Sequence, residues 1–242
     1  LRSGDGQAAR AGGVGKVSYL AMPASSAVEA EVRSWAVLSV PSSVLAVFDV
    51  SGSMDFIAGD KSRIQLASEF ALAALEIFPD HARVGLWAFS IDQGGPGQDW
   101  RVLEPVRRLD ALVEGSTQRQ VLSGWSEQLT TLTTGGTGLY DTALAAYRQA
   151  VRDYDESYSN SVILLTDGAN DDPATIGLRT LLRGLAAARD PQRPVRIIGI
   201  AISQDADFAA LQKIALATGG EAYLAEDPHD ITDVFGQALA AR

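Results

Sequence analysis

The stretch Val44-Leu45-Ala46-Val47-Phe48-Asp49-Val50-Ser51-Gly52-Ser53-Met54 decides how this chain folds. An unbroken apolar run, too short for a helix of ordinary length, reads as a strand buried on both faces. It ends in an Asp and two Ser at alternate positions. These three side chains can converge on one point only if the backbone turns there, and Gly52 permits that turn. A carboxylate beside hydroxyls, with no His or Cys near, is the donor chemistry of Mg²⁺ or Mn²⁺ rather than of zinc.

Two later segments share this arrangement. Thr133-Thr134-Gly135-Gly136-Thr137-Gly138 is a Gly-rich loop that opens a helical stretch. Ser161-Val162-Ile163-Leu164-Leu165-Thr166-Asp167-Gly168 is a second apolar strand that ends in Thr-Asp-Gly. In an open α/β sheet, ligands bind beyond the carboxyl ends of the strands. Three strand-end loops carrying Asp, Ser and Thr are therefore candidates for a single site.

Asp49-x-Ser51-x-Ser53, then Gly-Gly-Thr137, then Thr166-Asp167-Gly168, resembles the metal-ion-dependent adhesion site (MIDAS) of von Willebrand factor A-type (VWA) domains. Order and spacing both fit, and the likeness covers about residues 42–242. The resemblance implies that Ser51 and Ser53 bind a cation directly. It implies that Thr137 does so directly in one conformational state and through water in another. Asp49 and Asp167 would act largely through coordinated waters, with Asp167 able to approach the metal in a low-affinity state. The last coordination position would be left to a carboxylate from a partner. The implied ion is Mg²⁺, with Mn²⁺ or Ca²⁺ as alternatives, and the implied function is non-enzymatic protein or ligand binding. Physical chemistry agrees with that scheme: Mg²⁺ takes an octahedron of oxygens and keeps several waters.

Each residue also has a plainer reading. Asp49 serves equally well as a strand-end turn residue, Ser51 and Ser53 as helix caps, and Asp167-Gly168 as a simple turn. Asp141 is expected to face solvent in the first turn of its helix, where a negative charge is favoured. Asn170-Asp171-Asp172 reads as an acidic rim loop.

Catalytic classes find little support. A serine hydrolase needs an oriented base, and the only histidines, His81 and His229, lie away from the loops after Asp49 and Asp167. A phosphatase of the haloacid dehalogenase type needs a second Asp two residues after the first, where this chain has Ser51. No phosphate-binding Gly-rich fingerprint is present. Trp87, Trp100 and Trp125 are spaced as core or edge residues, not as a stacking platform. A hydrolase using the same cation, with Asp167 or Asp171 as base, and a scaffold with a vestigial metal site are the alternative functions.

Composition sets the outer bounds. The 242 residues, 46% of them apolar, suffice for one large α/β domain plus an arm. A net charge of −10 argues against nucleic acid or an anionic membrane as principal partner. No apolar run reaches transmembrane length. The absence of Cys excludes thiol catalysis and Cys-bound zinc. The chain begins with Leu and shows no secretory leader, so it reads as a fragment or processed form.

Along the chain, helices are expected at Ser62–Phe78, Thr117–Leu129, Leu139–Val151, Thr175–Ala188, Phe208–Ala217 and Asp230–Ala241. Strands are expected at Arg83–Ser90, Arg101–Val106, Arg196–Ile202 and Ala222–Leu224, besides the two quoted above. The short link after Ser90 implies an antiparallel edge pair. The alternation elsewhere calls for a doubly wound, mostly parallel sheet with helices on both faces, Rossmann-like in plan. Residues 44–242 form the expected VWA domain. Residues 1–43 form an N-terminal arm or the remnant of an upstream domain, with a stray strand at Val17–Met22 and a short helix at Ala27–Leu38. The phrase from Trp35 to Asp49 resembles bacterial exported proteins that join a solute-binding-like domain to a VWA domain, which implies an extracellular or cell-envelope location.

Overall fold

The structure, a computed structural model, describes residues 41–203 and 205–225. The arm proposed for residues 1–43 therefore lies almost wholly outside the described residues, as does the closing helix expected at 230–241.

The main sheet is built from β1 (Ser42–Asp49), β4 (Arg83–Phe89), β5 (Trp100–Arg108), β8 (Ser159–Thr166), β9 (Val195–Ile202) and β10 (Ala222–Ala225). Two small hairpins stand apart from it: β2 (Ile57–Ala58) with β3 (Lys61–Ser62), and β6 (Leu112–Val113) with β7 (Ser116–Thr117). The strand order is β10-β9-β8-β1-β4-β5, and every pair is parallel except β4 with β5. The chain thus builds outward from β1 to one edge, then returns to β8 on the other side of β1. That reversal is the topological switch point of a doubly wound sheet, where a crevice opens beyond the carboxyl ends of the strands. β1 and β8 flank it.

The expected pattern of burial follows. Alternate residues of the central strands serve opposite faces. Val44, Phe48, Val84, Leu86, Ile163, Leu165, Ile198 and Ile200 pack on one side against α1 (Arg63–Ile77) and α2 (Gln118–Gln128). Leu45, Val47, Trp87, Phe89, Val162, Leu164 and Ile197 pack on the other against α3 (Leu139–Arg152), α4 (Leu178–Ala188) and α5 (Phe208–Thr218). Both faces of β1 and β8 are therefore dry, which is why these strands read as apolar runs. β5 is an edge strand, and its charged residues and Pro105 discourage further pairing.

Local signals account for most element ends. Ser62 and Gln65 form a reciprocal capping box at the start of α1, and Thr117 and Gln120 do the same for α2. Gly219, in the left-handed region at φ 81°, ends α5. One expected helix is corrected. It begins at Leu178 rather than Thr175, because Thr175 and Ile176 are drawn away to Asp141.

Candidate metal centre

Asp49 is the last residue of β1 and Asp167 directly follows β8, so parallel pairing of the two strands brings both carboxylates to the switch point. Both are fully buried. Asp49 Oδ1 accepts the Ser51 backbone N–H at 2.8 Å, and Oδ2 accepts a short hydrogen bond from the Thr166 hydroxyl. Asp167 Oδ1 accepts from the Ser53 hydroxyl at 2.8 Å. Its Oδ2 accepts from Arg63 Nη1 at 2.7 Å.

The three hydroxyls lie between the carboxylates. Ser51 Oγ is 3.2 Å from Ser53 Oγ and accepts from Thr137 Oγ1 at 3.2 Å. A Cβ placed on Gly168 would meet Thr137 Oγ1 at 3.0 Å and Ser53 Oγ at 3.8 Å, so the loop after β8 closes over both. All five side chains singled out in the sequence are thus together at the end of the sheet. Ser51 stands before the 3₁₀ turn Gly52–Asp55, yet its hydroxyl caps nothing there. The cap reading of Ser51 is set aside on that ground. The turn reading of Asp49 is partly right, since Oδ1 does close a turn with the Ser51 N–H.

Thr137 is placed by groups far away in sequence. Its N–H donates a short hydrogen bond to Asp171 Oδ1. The next helix, α3, has Gly138 at its N-cap and so no side-chain cap of its own. Asn170 Oδ1 supplies one by accepting the Tyr140 N–H at 2.9 Å. Asn170 and Asp171 are therefore props for the Thr137 loop rather than only an acidic rim. Side chains are excluded at two glycines by these approaches: a Cβ on Gly136 would fall 2.6 Å from Asp171 Oδ1, and one on Gly138 2.4 Å from the Asp99 carboxyl. On the opposite side, Gly52 N–H donates to Gly135 O and Thr134 N–H to Val50 O, lacing the first and second loops together.

Burial dominates the electrostatics of Asp49. It raises the carboxyl to a pKa of about 7, against opposing hydrogen bonds from Thr166 and Ser51, and the nearby Asp167 charge raises it further. A carboxylate held in this condition is one that a cation would relieve. The donor geometry also suits an ion. Neighbouring vertices of a magnesium octahedron with ordinary bond lengths are about 2.9 Å apart, close to both hydroxyl spacings here.

A von Willebrand factor type A family model matches residues 43–237. The chain belongs to the von Willebrand factor type A family. No curated protein sequence matches it. Among solved structures with the VWA fold, a von Willebrand factor type A protein from Catenulispora acidiphila superposes with a TM-score of 0.62 at 22% identity, over 83% of this chain and 42% of that one. Proximal thread matrix protein 1 of the mussel byssus, with a zinc-occupied MIDAS motif, gives 0.59 at 14% identity, over 83% and 47%. Manganese-loaded TRAP protein of Plasmodium vivax gives 0.56 at 18% identity, over 84% and 75%. The chain thus spans less than half of the first two.

Within this VWA fold, two expectations need correction. Asp141 does not simply face solvent: its Oδ2 accepts from the Thr175 hydroxyl at 2.6 Å and from the Ile176 N–H at 3.3 Å, tying the segment before α4 to α3. The acidic loop is engaged as described above, and among the described residues no three His, Asp or Glu side chains gather as a further metal group. His81 is exposed and remote from the site; His229 lies outside the described residues. Trp87 stacks on Trp100 at 6.2 Å between ring centres, an edge-of-core contact. Sequence reading missed Arg63 and the role of Thr166. A signal for the former existed: a cation at the first position of a helix opposes the helix dipole and calls for a reason.

Proposed function

We propose that this domain is a divalent-cation-dependent binding module in which Asp49, Ser51, Ser53, Thr137 and Asp167 hold Mg²⁺, or Mn²⁺ or Ca²⁺ in its place. VWA domains are generally modules of protein interaction or adhesion. The observation that carries the finer reading is the hydroxyl trio, whose members, among the described residues, engage one another and the two carboxylates. Hydroxyl lone pairs remain for an ion. The carboxylate oxygens already accept hydrogen bonds, which suits them to steady metal-bound water rather than to touch the metal.

Bound there, the ion supplies an electrophilic centre that draws a carboxylate from a partner protein or ligand. Asp49 and Asp167 balance its charge, and the Asp171 and Asn170 props hold Thr137 in place. The manganese-loaded TRAP protein and the zinc-occupied mussel protein lend support for a cation in this fold. An acidic surface repels an acidic partner at long range, so encounter should quicken as salt screens that repulsion. The resemblance to exported bacterial proteins supports an extracellular or envelope location, and supports reading residues 1–43 as an arm or upstream remnant.

A hydrolase using the same ion needs a free base beside it. Of the two nominees, Asp167 is engaged by Ser53 and Arg63 and Asp171 props the Thr137 backbone, and no other observation favours that reading. The test of the binding function is calorimetry with Mg²⁺. Asp49→Ala should abolish the binding that the unaltered chain shows; unchanged affinity rejects the assignment.

A further inference from the structure

We propose that Arg63 is a positioning residue of this centre: an internal counter-cation that competes with the metal ion for Asp167 and links its affinity to Asp205, beyond β9. The inference rests on the metal-centre reading above. It starts from a local anomaly. Arg63 is the first residue of α1, where the helix dipole disfavours a positive charge. Its side chain is only 12% exposed, and its Nε is buried with no hydrogen-bond partner among the described residues. Something must offset both penalties.

Two carboxylates do so. Nη1 donates to Asp167 Oδ2 at 2.7 Å and Nη2 to Asp205 Oδ2 at 2.5 Å. The guanidinium also lies over the Phe56 ring, 5.6 Å from its centre, and the Arg63 N–H donates to Phe56 O at 3.1 Å. Phe56 follows directly on the turn that carries Ser53. Arg63 is thus clasped between the Ser53 turn, the Asp167 loop and the Asp205 loop.

The two carboxylates are not alike. Asp167 is fully buried and Asp205 is 69% exposed. Asp167 has one oxygen on Ser53 and the other on Arg63, so its negative charge is already neutralised in part before any ion binds. Asp205 pulls Arg63 the other way, toward solvent. A movement that separates Asp205 from Arg63 would leave the guanidinium wholly on Asp167 and weaken the ion's hold. A partner engaging Asp205 would do the same.

The test is Mn²⁺ and Mg²⁺ affinity by calorimetry on the full chain, with Tm measured alongside. Arg63→Gln keeps an amide donor but removes the charge, and should tighten binding about tenfold or more. Arg63→Lys, which restores the charge, should return affinity to within about threefold of the unaltered chain. Asp205→Asn, on the surface, should weaken binding about threefold, and this effect should vanish in the Arg63→Gln background. Unchanged or weaker binding in Arg63→Gln overturns the proposal. So does an Asp205→Asn effect that persists undiminished in the Arg63→Gln background; unchanged or tighter binding in Asp205→Asn alone also overturns it, and that result is readable whatever the stability of the Arg63 variants. If the unaltered chain binds no cation, the metal centre falls and this inference with it. If it binds and only the Arg63 and Asp205 changes are silent, this inference alone falls.

Discussion

Asp49 and Asp167 close the two strands that flank the switch point, and both are wholly shielded from solvent, yet their surroundings differ in kind. Asp49 is held by neutral donors, a backbone N–H and the Thr166 hydroxyl. Asp167 is held by one hydroxyl and one guanidinium. Neutral donors satisfy hydrogen-bonding capacity without cancelling charge, so burial dominates at Asp49 and raises its pKa. At Asp167 a counter-charge is already in place. Among the described residues, one carboxylate of the pair is therefore met by neutral donors, and the other has a cation built in.

The sharpest way to break this contrast is the same isosteric change at both positions. Asp167→Asn leaves the Arg63 guanidinium largely buried and short of one of its two carboxylates. Loss of one partner from such a pair should lower metal-free stability by about 2 kcal/mol, reduced from the fully buried case because Asp205 remains. Asp49→Asn removes a charge that burial penalises; the amide oxygen can still accept the Ser51 N–H, and the amide N–H can donate to the Thr166 hydroxyl once that hydroxyl turns to accept. Its metal-free stability should stay within about 0.5 kcal/mol or rise. Urea unfolding in EDTA measures both. Equal losses at the two positions would erase the distinction.

A smaller effect, read per pH unit, sharpens the Asp49 half. Its folded-state pKa, about 7, lies above the ordinary carboxylate value of 3.8 that applies when the chain unfolds. Between those values the folded state holds a proton that the unfolded state has lost, so metal-free stability falls as pH rises through that window. The loss is complete above about 7. An ion favours the ionised form and removes this penalty. Cation affinity should accordingly fall about tenfold for each pH unit below 7. The gap in Tm between Mg²⁺ and EDTA samples should widen from pH 5 to pH 8. A gap independent of pH would place the charge on Asp49 throughout.

How far the sequence reveals these features depends on what each one rests on. β1 and β8 announce themselves because burial on both faces demands unbroken apolar residues, as Val44 to Phe48 and Val162 to Leu165 show. Once two such strands pair in parallel beside the switch point, residues at their ends must approach, so the gathering of Asp49, Ser51, Ser53 and Asp167 is largely a consequence of the fold. Thr137 needed the motif as well, since no periodicity governs its loop. What holds that loop was not legible. Asp171 reaches Thr137 across 34 residues and Arg63 reaches Asp167 across 104, and such pairs leave no local trace. The overextended helix before Leu178 has a similar origin: Thr175 and Ile176 have apolar-helical neighbours, but Asp141 competes for their donors. The β2–β3 and β6–β7 hairpins escaped because two-residue strands carry no alternation to read.

The gentlest way to disturb the Asp167 half lies one residue before Arg63. The Ser62 hydroxyl accepts the Gln65 N–H, and the Gln65 side chain accepts the Ser62 N–H at 2.8 Å, fixing the first turn of α1. That turn is what aims Arg63. Ser62→Ala should lower stability by about 1 kcal/mol through the lost cap. It should also loosen the first turn without altering any charge. If Arg63 holds Asp167 chiefly by charge, cation affinity should shift by less than about twofold, because the long guanidinium arm can follow a small movement of its backbone. A shift as large as that of Arg63→Gln would mean that the geometry of the helix start, rather than the charge it carries, governs the second carboxylate.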